Sequence, residues 1–295
     1  MLEADAPTVL SGRTFTVAEI AQVRETVGDC AGLPWSEVIE TICEHLGWVT
    51  PTGRNKFASC AKALTKLERA GLLRLPIKQV GLGGRQRVVI GADTDAEAAV
   101  TGTVRDIAPV AVTPVTATAE MRRWNAYVER YHPLGFRRPF GAHQRYFVVG
   151  AGERRLGCLL FAASAWALTA RDQWIGWTAQ DRAQRLTGVV ANTRFLLFPW
   201  VTVKNLASTA LALAAKRIRP DWQARYGYAP VLLETFVDAA HFRGTCYQAA
   251  NWIHLGETVG RGRMDRRHRT PSTPKEIYVY PLVPDCRAVL RGDGP

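Results

Sequence analysis

Two apolar runs near the middle of the chain limit its fold more than any other feature. They are RYFVVGA, Arg145 to Ala151, and RLGCLLFAAS, Arg155 to Ser164. Their length and alternation read as strands, and the short Gly-containing turn between them makes the pair a β-hairpin. A helix precedes it at Met121 to Tyr131, with Trp124, Tyr127 and Val128 on one face. After it come a helix near Ala179 to Thr187, the buried strand TRFLLFPW (Thr193 to Trp200) and a helix from about Lys204 to Arg217. The strand PVLLETFVD, a short helix at Gly244 to Asn251 and the strand EIYVYPL (Glu276 to Leu282) complete the order. Helix, hairpin, strand, helix, strand, helix, strand predicts a mixed α/β sheet over residues 119–295.

The front of the chain follows a different period. Val17, Ile20, Val23 and Val27 recur at helical spacing within Thr16 to Cys30. A second helix runs from about Ser36 to Leu46 and stops at Gly47. A third, from about Asn55 to Ala70, stacks Phe57, Cys60, Ala61, Leu64 and Leu67, with Gly71 as its C-cap before an extended LLRLP. Three helices and a short strand predict a winged helix-turn-helix over residues 13–90. Residues 91–118, rich in Ala, Thr, Val, Asp and Pro, read as a linker or an arm packed over the next domain. The fold class expected is therefore α+β in two domains.

Charge divides along the same line. The net charge is +12, yet residues 1–118 carry 12 Lys+Arg against 13 Asp+Glu and the remainder 26 against 13, so the excess is C-terminal. Within the first domain, Thr16 to Thr50 holds six acids and one base, whereas Arg54 to Arg87 holds nine bases and only Glu68. A helix-turn-helix needs its positive charge on the third helix and wing, beside the phosphates. Lys56, Lys62, Lys66, Arg69 and Arg74 are placed for that role. The alternative is a solvated basic helix with no DNA contact.

A second basic cluster lies in FRGTCYQAANWIHLGETVGRGRMDRRHR, Phe242 to Arg269. Arg261, Arg263, Arg266, Arg267 and Arg269 come shortly after Thr245, Cys246, Tyr247, Asn251 and Trp252. Arginine holds phosphate bidentately, and Trp174, Trp177, Trp200, Trp222 and Trp252, with Tyr226 and Tyr228, offer flat surfaces to bases. More than half of those tryptophans are expected in the core. DNA is the partner both clusters imply. The six cysteines lie far apart with no zinc-ligand spacing, so neither a disulfide framework nor a structural zinc site is indicated. No apolar run of about 18 residues exists to span a membrane, and a cytoplasmic location is expected.

The order of elements from Met121 onward is similar to the acetyltransferase fold of the GNAT superfamily. That resemblance implies acetyl-CoA as cofactor, with its pyrophosphate at the strand-to-helix junction WVTVKNLAST, Trp200 to Thr209. Here Thr202, Asn205 and Ala207 stand where the superfamily carries Q/R-x-x-G-x-G/A, and Lys204 supplies charge. Trp200, Lys204 and Asn205 there, with Asn251 and Trp252 of the Phe242 to Arg269 stretch, are the candidate ligand-pocket residues. Tyr247, on the last short helix, takes the place of the general acid; packing with one polar tip is its alternative.

Longer motifs carry a second resemblance. RYHPLGF (Arg130 to Phe136), LGCLLF (Leu156 to Phe161), RDQWIGW (Arg171 to Trp177), NTRFLLFPWVTVKNLAS (Asn192 to Ser208), YGYAPVLLETFVD (Tyr226 to Asp238) and Phe242 to Arg266 together resemble the DruA family of Druantia anti-phage systems. Cys43 to Pro76 resembles the front of the same proteins. The resemblance implies a defence or transposon-linked setting, with other proteins of such systems as partners, and assigns no reaction.

Chemistry falls to four residues. A carboxylate within the apolar run VLLETFV is costly unless paired or working, which makes Glu234 the first candidate for a general base or metal ligand. Its alternative is an ion pair with Arg194 or another arginine. Asp238 shares its face if the strand continues that far. His132, in the Tyr-His-Pro-Leu-Gly loop, is a candidate base or phosphate ligand, or else a cap on a neighbouring backbone group. Tyr247 is the fourth. A nuclease reading takes Mg²⁺ on Glu129, Glu234 and Asp238. Three functions thus stand open: a DNA-binding protein whose basic α/β domain engages and processes DNA, an acetyl-CoA-dependent acyltransferase, and a metal-dependent nuclease or strand-transfer enzyme.

Overall fold

A computed structural model of the chain describes residues 7–29, 35–51, 54–75, 88–137, 139, 141–165, 167–258 and 274–293. The chain divides into two compact units. The first comprises residues 1–85 with 140–142 and 222–229; the second is the rest.

The first unit opens on a hairpin, β1 (Thr8–Leu10) and β2 (Arg13–Phe15), paired Leu10 to Arg13 across Ser11 and Gly12. Both turn residues have positive φ, 51° and 77°, which Ser-Gly accommodates. Three helices follow: α1 (Val17–Asp29), α2 (Trp35–His45) and α3 (Phe57–Arg69). Thr16 and Glu19 form a reciprocal cap that starts α1. The Thr16 hydroxyl accepts the Glu19 N–H at 3.1 Å, and the Glu19 carboxylate accepts the Thr16 N–H at 2.9 Å. Ile20, Val23, Val38, Ile39, Ile42, Cys60, Ala63, Leu64 and Leu67 bury themselves between the helices, closed by Phe15 edge-on to Trp48. Val17 is 39% exposed because the first residue of the helix falls off the apolar stripe, and Phe57 is 37% exposed at the start of α3. The three helices expected from the sequence are present. The extended LLRLP is not a strand in its described part; Leu75 instead donates its N–H to Glu68 at 2.9 Å. The wing expected from the sequence falls on residues 76–87, outside the described residues.

The acids of α2 work inside this unit. Glu37 accepts from Arg225 at 3.0 Å and from the Tyr226 hydroxyl, and Glu40 accepts the Gly141 N–H at 2.8 Å. Burial, then the neighbouring Glu40, raises the Glu44 carboxyl well above its usual range.

The second unit is a mixed α/β structure with a seven-stranded sheet. Its strands are β4 (Ala111–Pro114), β5 (His143–Val149), β6 (Arg155–Ala163), β7 (Val189–Leu197), β9 (Leu232–Asp238), β10 (Ile253–Glu257) and β11 (Lys275–Pro281), in the order β10-β11-β9-β7-β6-β5-β4. All neighbours are antiparallel except β7 and β9. A separate parallel pair joins β3 (Val100–Thr103) to β8 (Val201–Lys204). The segment read as a linker or arm thus carries β3 and β4, both paired within this unit.

Successive residues of β5 show the layering. Phe147 meets Tyr127 of α4 (Thr118–Tyr131) edge-on, while the Tyr146 hydroxyl bonds to Asp221 of α7 (Leu206–Tyr226) at 3.0 Å. Neighbouring side chains on a strand leave opposite faces, so α4 and α7 cover opposite sides of the sheet. The hairpin of β5 and β6 is buried on both faces, in keeping with its near-continuous apolar sequence. Four short helices complete the unit: α5 (Thr169–Ile175), α6 (Ala179–Arg185), α8 (Thr245–Ala249) and α9 (Cys286–Arg291). Ile175 and Leu290 pack with Val189, Leu232 and Val279 of the sheet. No described helix is long and apolar enough to cross a membrane.

Candidate functional site

The parallel pair β7–β9 is short. It runs from Val189 with Leu232 to Asn192 with Thr235 and then ends, although both strands continue. Residues within the paired stretch are buried, whereas Thr193, Arg194, Phe195 and Phe236 beyond it are only partly covered. The strands therefore part into a wedge. On its other side β7 is irregular too: Leu160 pairs with Arg194 and Phe161 with Asn192, leaving Thr193 as the extra residue of a bulge.

Three polar side chains close the vertex. The Asn192 amide donates to the carbonyls of Leu160 and Arg194, each at 3.1 Å, which leaves its Oδ1 as an acceptor and fixes the amide's orientation. The Tyr247 hydroxyl donates to that oxygen at 2.8 Å, and the Thr235 hydroxyl donates to the Asn192 carbonyl at 3.0 Å and lies 3.4 Å from the Tyr247 oxygen. Gly244, at φ 67°, precedes α8 and so delivers Tyr247 to this point. Burial raises the Tyr247 pKa above that of a free phenol. Phe195, Trp252 and Tyr278 surround its ring.

Glu234 stands beside the vertex and is fully buried. Its Oε2 accepts from Arg171 Nη1 at 2.8 Å, and its Oε1 accepts the Ala165 N–H at 2.8 Å. Arg171 is itself fully buried and also bonds to Asp172, which pairs in turn with Arg182 at 2.9 Å. Burial alone lowers an arginine's pKa; Glu234 and Asp172 outweigh it and raise that of Arg171. The carboxylate that the sequence marked as paired or working is thus in an ion pair, with Arg171 rather than Arg194. Asp238, at the far end of β9, accepts the Ala240 N–H at 3.1 Å and lies 3.2 Å from His241.

His132 ends α4. Its Nδ1 accepts the Leu134 N–H at 3.1 Å, and burial, then the charge of Arg194, lowers its pKa to about 4. It is neutral at pH 7 and holds its own loop. Glu129 accepts the Phe136 N–H at 2.7 Å in the same turn. Among the described residues no group of three His, Cys, Asp or Glu side chains is placed to hold a metal ion.

The candidate pocket residues fall in two places. Trp200 is stacked on Phe198 and edge-on to Tyr131, while Lys204 and Asn205 are exposed where β8 passes into α7, with Asn205 at φ 65°. Trp252 packs on Tyr247 and Tyr280, next to an exposed Asn251 at φ 61°. Trp177, Trp200, Trp222, Trp252 and Tyr226 are all buried, so as stacking platforms for bases they are corrected to core residues. Sequence reasoning missed Asn192, Thr235 and Arg171. The signal for Asn192 was a lone amide in an apolar strand, and for Arg171 a charged pair heading the aromatic RDQWIGW.

In the first unit, Lys62, Lys66 and Arg69 are exposed at positions i, i+4 and i+7 of α3, opposite the buried Cys60, Ala63, Leu64 and Leu67. Arg54 and Lys56, before the helix, and Arg74, after it, are exposed as well. Arg261, Arg263, Arg266, Arg267 and Arg269 lie outside the described residues.

The fold and these sites define a mixed α/β protein joined to a small helical unit with a basic third helix. The chain belongs to the DruA family: the family model described as Druantia protein DruA matches residues 86–271, more than half its length. No curated protein matches it. Among solved structures it is similar to the spermidine/spermine N-acetyltransferase SpeG from Vibrio cholerae in complex with manganese ions. That likeness has 8% identity, a TM-score of 0.39, and spans 61% of this chain and 95% of the other. A putative acyl-CoA N-acyltransferase from Klebsiella pneumoniae is similar at 14% identity and a TM-score of 0.35, over 59% of this chain and 99% of its own. Likenesses at that level carry no argument about activity.

Proposed function

We propose that this DruA-family chain is a DNA-binding protein of an anti-phage defence or transposon-linked system, and that α3 is its DNA-contacting element. One observation carries the reading: α3 is apolar on its buried side and presents Lys62, Lys66 and Arg69 in a row on the other. The acids of α2, which would otherwise oppose a phosphate backbone, are engaged within the unit by Arg225, Tyr226 and backbone N–H groups. A row at this spacing follows a line of phosphates, and the N-terminal unit takes the helix-turn-helix role. The Arg261 to Arg269 arm adds a second contact, and the α/β domain acts on the DNA so held. A gel-shift titration tests this. Binding that weakens steeply with salt supports it; no binding, or binding indifferent to salt, overturns it.

A second reading rests on the wedge. A sheet that parts between two parallel strands, a bulge beside the gap and the start of α7 at Leu206 suit a thioester cofactor, in the manner of a GNAT acyltransferase. The left-handed Asn205 before that helix stands where that superfamily carries glycine. On this reading Tyr247 protonates the departing thiolate, and its present bond to Asn192 positions the phenol. Acetyl-CoA binding by calorimetry is the test, and no heat at millimolar cofactor rejects it.

A further inference from the structure

We propose that Arg194 and Arg137 form a binding site for a phosphoryl anion at the open end of the wedge between β7 and β9. Arg194 lies two residues beyond Asn192, where the parallel ladder has ended, and is half-buried. Its Nε donates to the Gly135 carbonyl at 3.1 Å and its Nη1 to the Thr193 carbonyl at 2.7 Å. Those bonds fix the guanidinium and leave Nη2 without a bond among the described residues. A guanidinium has five N–H donors in a rigid fork, and two of one edge match two oxygens of a phosphoryl group.

Arg137 follows two residues after the carbonyl that anchors Arg194, and it is exposed. The two cations are near enough that Arg137, after burial, lowers the pKa of Arg194. Neither has a carboxylate partner among the described residues. The Glu129 carboxylate bonds to the Phe136 N–H rather than to either guanidinium, and His132 is neutral. Arg171, Arg182, Arg185 and Arg225 show the usual solution for a partly buried arginine: each is bonded to an Asp or Glu. Two adjacent guanidiniums without an acid match the charge of a phosphoryl dianion, or of consecutive phosphodiesters.

The test uses the full chain and two probes, inorganic pyrophosphate and a short DNA duplex, with Arg137→Ala, Arg194→Gln and, as a control at an exposed arginine, Arg105→Ala. We expect pyrophosphate binding to weaken about tenfold or more in the first two variants and to stay unchanged in the third. If DNA affinity and its salt slope fall together with it, the phosphate is that of nucleic acid. If only pyrophosphate binding falls, it belongs to a small phosphorylated ligand. The proposal fails if Arg137→Ala binds pyrophosphate and DNA as the wild-type chain does, whether or not the wild-type chain binds millimolar pyrophosphate. Arg137 is exposed, so its variant reports on the site even where Arg194→Gln does not fold. Replacing Lys62, Lys66 and Arg69 leaves the pyrophosphate titration unchanged, which separates this site from the α3 reading.

Discussion

Glu234 and Arg171 are both fully buried and hold each other at 2.8 Å. Removing one partner leaves a bare charge in the core. Glu234→Ala is expected to cost about 3–5 kcal/mol in urea unfolding, while the double replacement Glu234→Leu with Arg171→Met recovers most of that loss. A Glu234 that acts only in chemistry would leave the unfolding midpoint in place. Tyr247→Phe removes the donor to Asn192 and leaves a buried acceptor unmet, with an expected loss of about 1–3 kcal/mol by the same measurement. His132 gives a pH signature. Its folded pKa, about 4, lies below the ordinary value of 6.5, so the unfolded chain binds more protons between those values. Its contribution is fully present above about pH 6.5 and is lost as pH falls toward 4. His132→Asn should narrow the difference between urea midpoints at pH 7 and pH 5, and an unchanged difference would remove His132 from the account.

Short elements decide where the site forms. α8 has five residues and follows directly on Gly244, whose φ is 67°; a Cβ there would lie 2.6 Å from the Tyr278 hydroxyl, on a ring that is 2% exposed. Gly244→Ala therefore meets both backbone strain and a side chain with no room to retreat. It is expected to lower the melting temperature and to increase the solvent exposure of Tyr247, read by tyrosine fluorescence quenching, whereas Gly152→Ala, where a Cβ meets open space, spares that environment. The long elements were legible in sequence because hydrophobic period is a local property: the three N-terminal helices, the central hairpin and the strands of Glu234 and Tyr278 all lie where period placed them. The missed elements are short: strands of three to five residues such as β1, β3, β8 and β10, and the helices α5 and α9, of seven and six residues, too brief for a period to stand out. For β1 and β2 the Ser11–Gly12 turn was the available signal. The wedge was illegible for another reason. It depends on where two parallel strands stop pairing, and that register joins residues 43 apart in the chain, Asn192 and Thr235. Likewise the burial of Glu234 could be read from its apolar neighbours, but its partner, 63 residues away, could not.

At the level of the whole chain, the net charge of +12 is unevenly held, and the two units meet charge differently. In the α/β unit many arginines are bonded to carboxylates, so a count of basic residues overstates the positive surface available to a partner. In the helical unit Lys62, Lys66 and Arg69 face solvent on one side of α3. If this row holds DNA, the salt dependence of duplex binding differs between the full chain and Lys62→Ala/Lys66→Ala/Arg69→Ala. Each phosphate contact contributes about −0.9 to the slope of log K against log salt. The triple variant is expected to bind more weakly, with a slope shallower by about two to three, at unchanged thermal stability. Equal affinity and equal slope in the two proteins would contradict it.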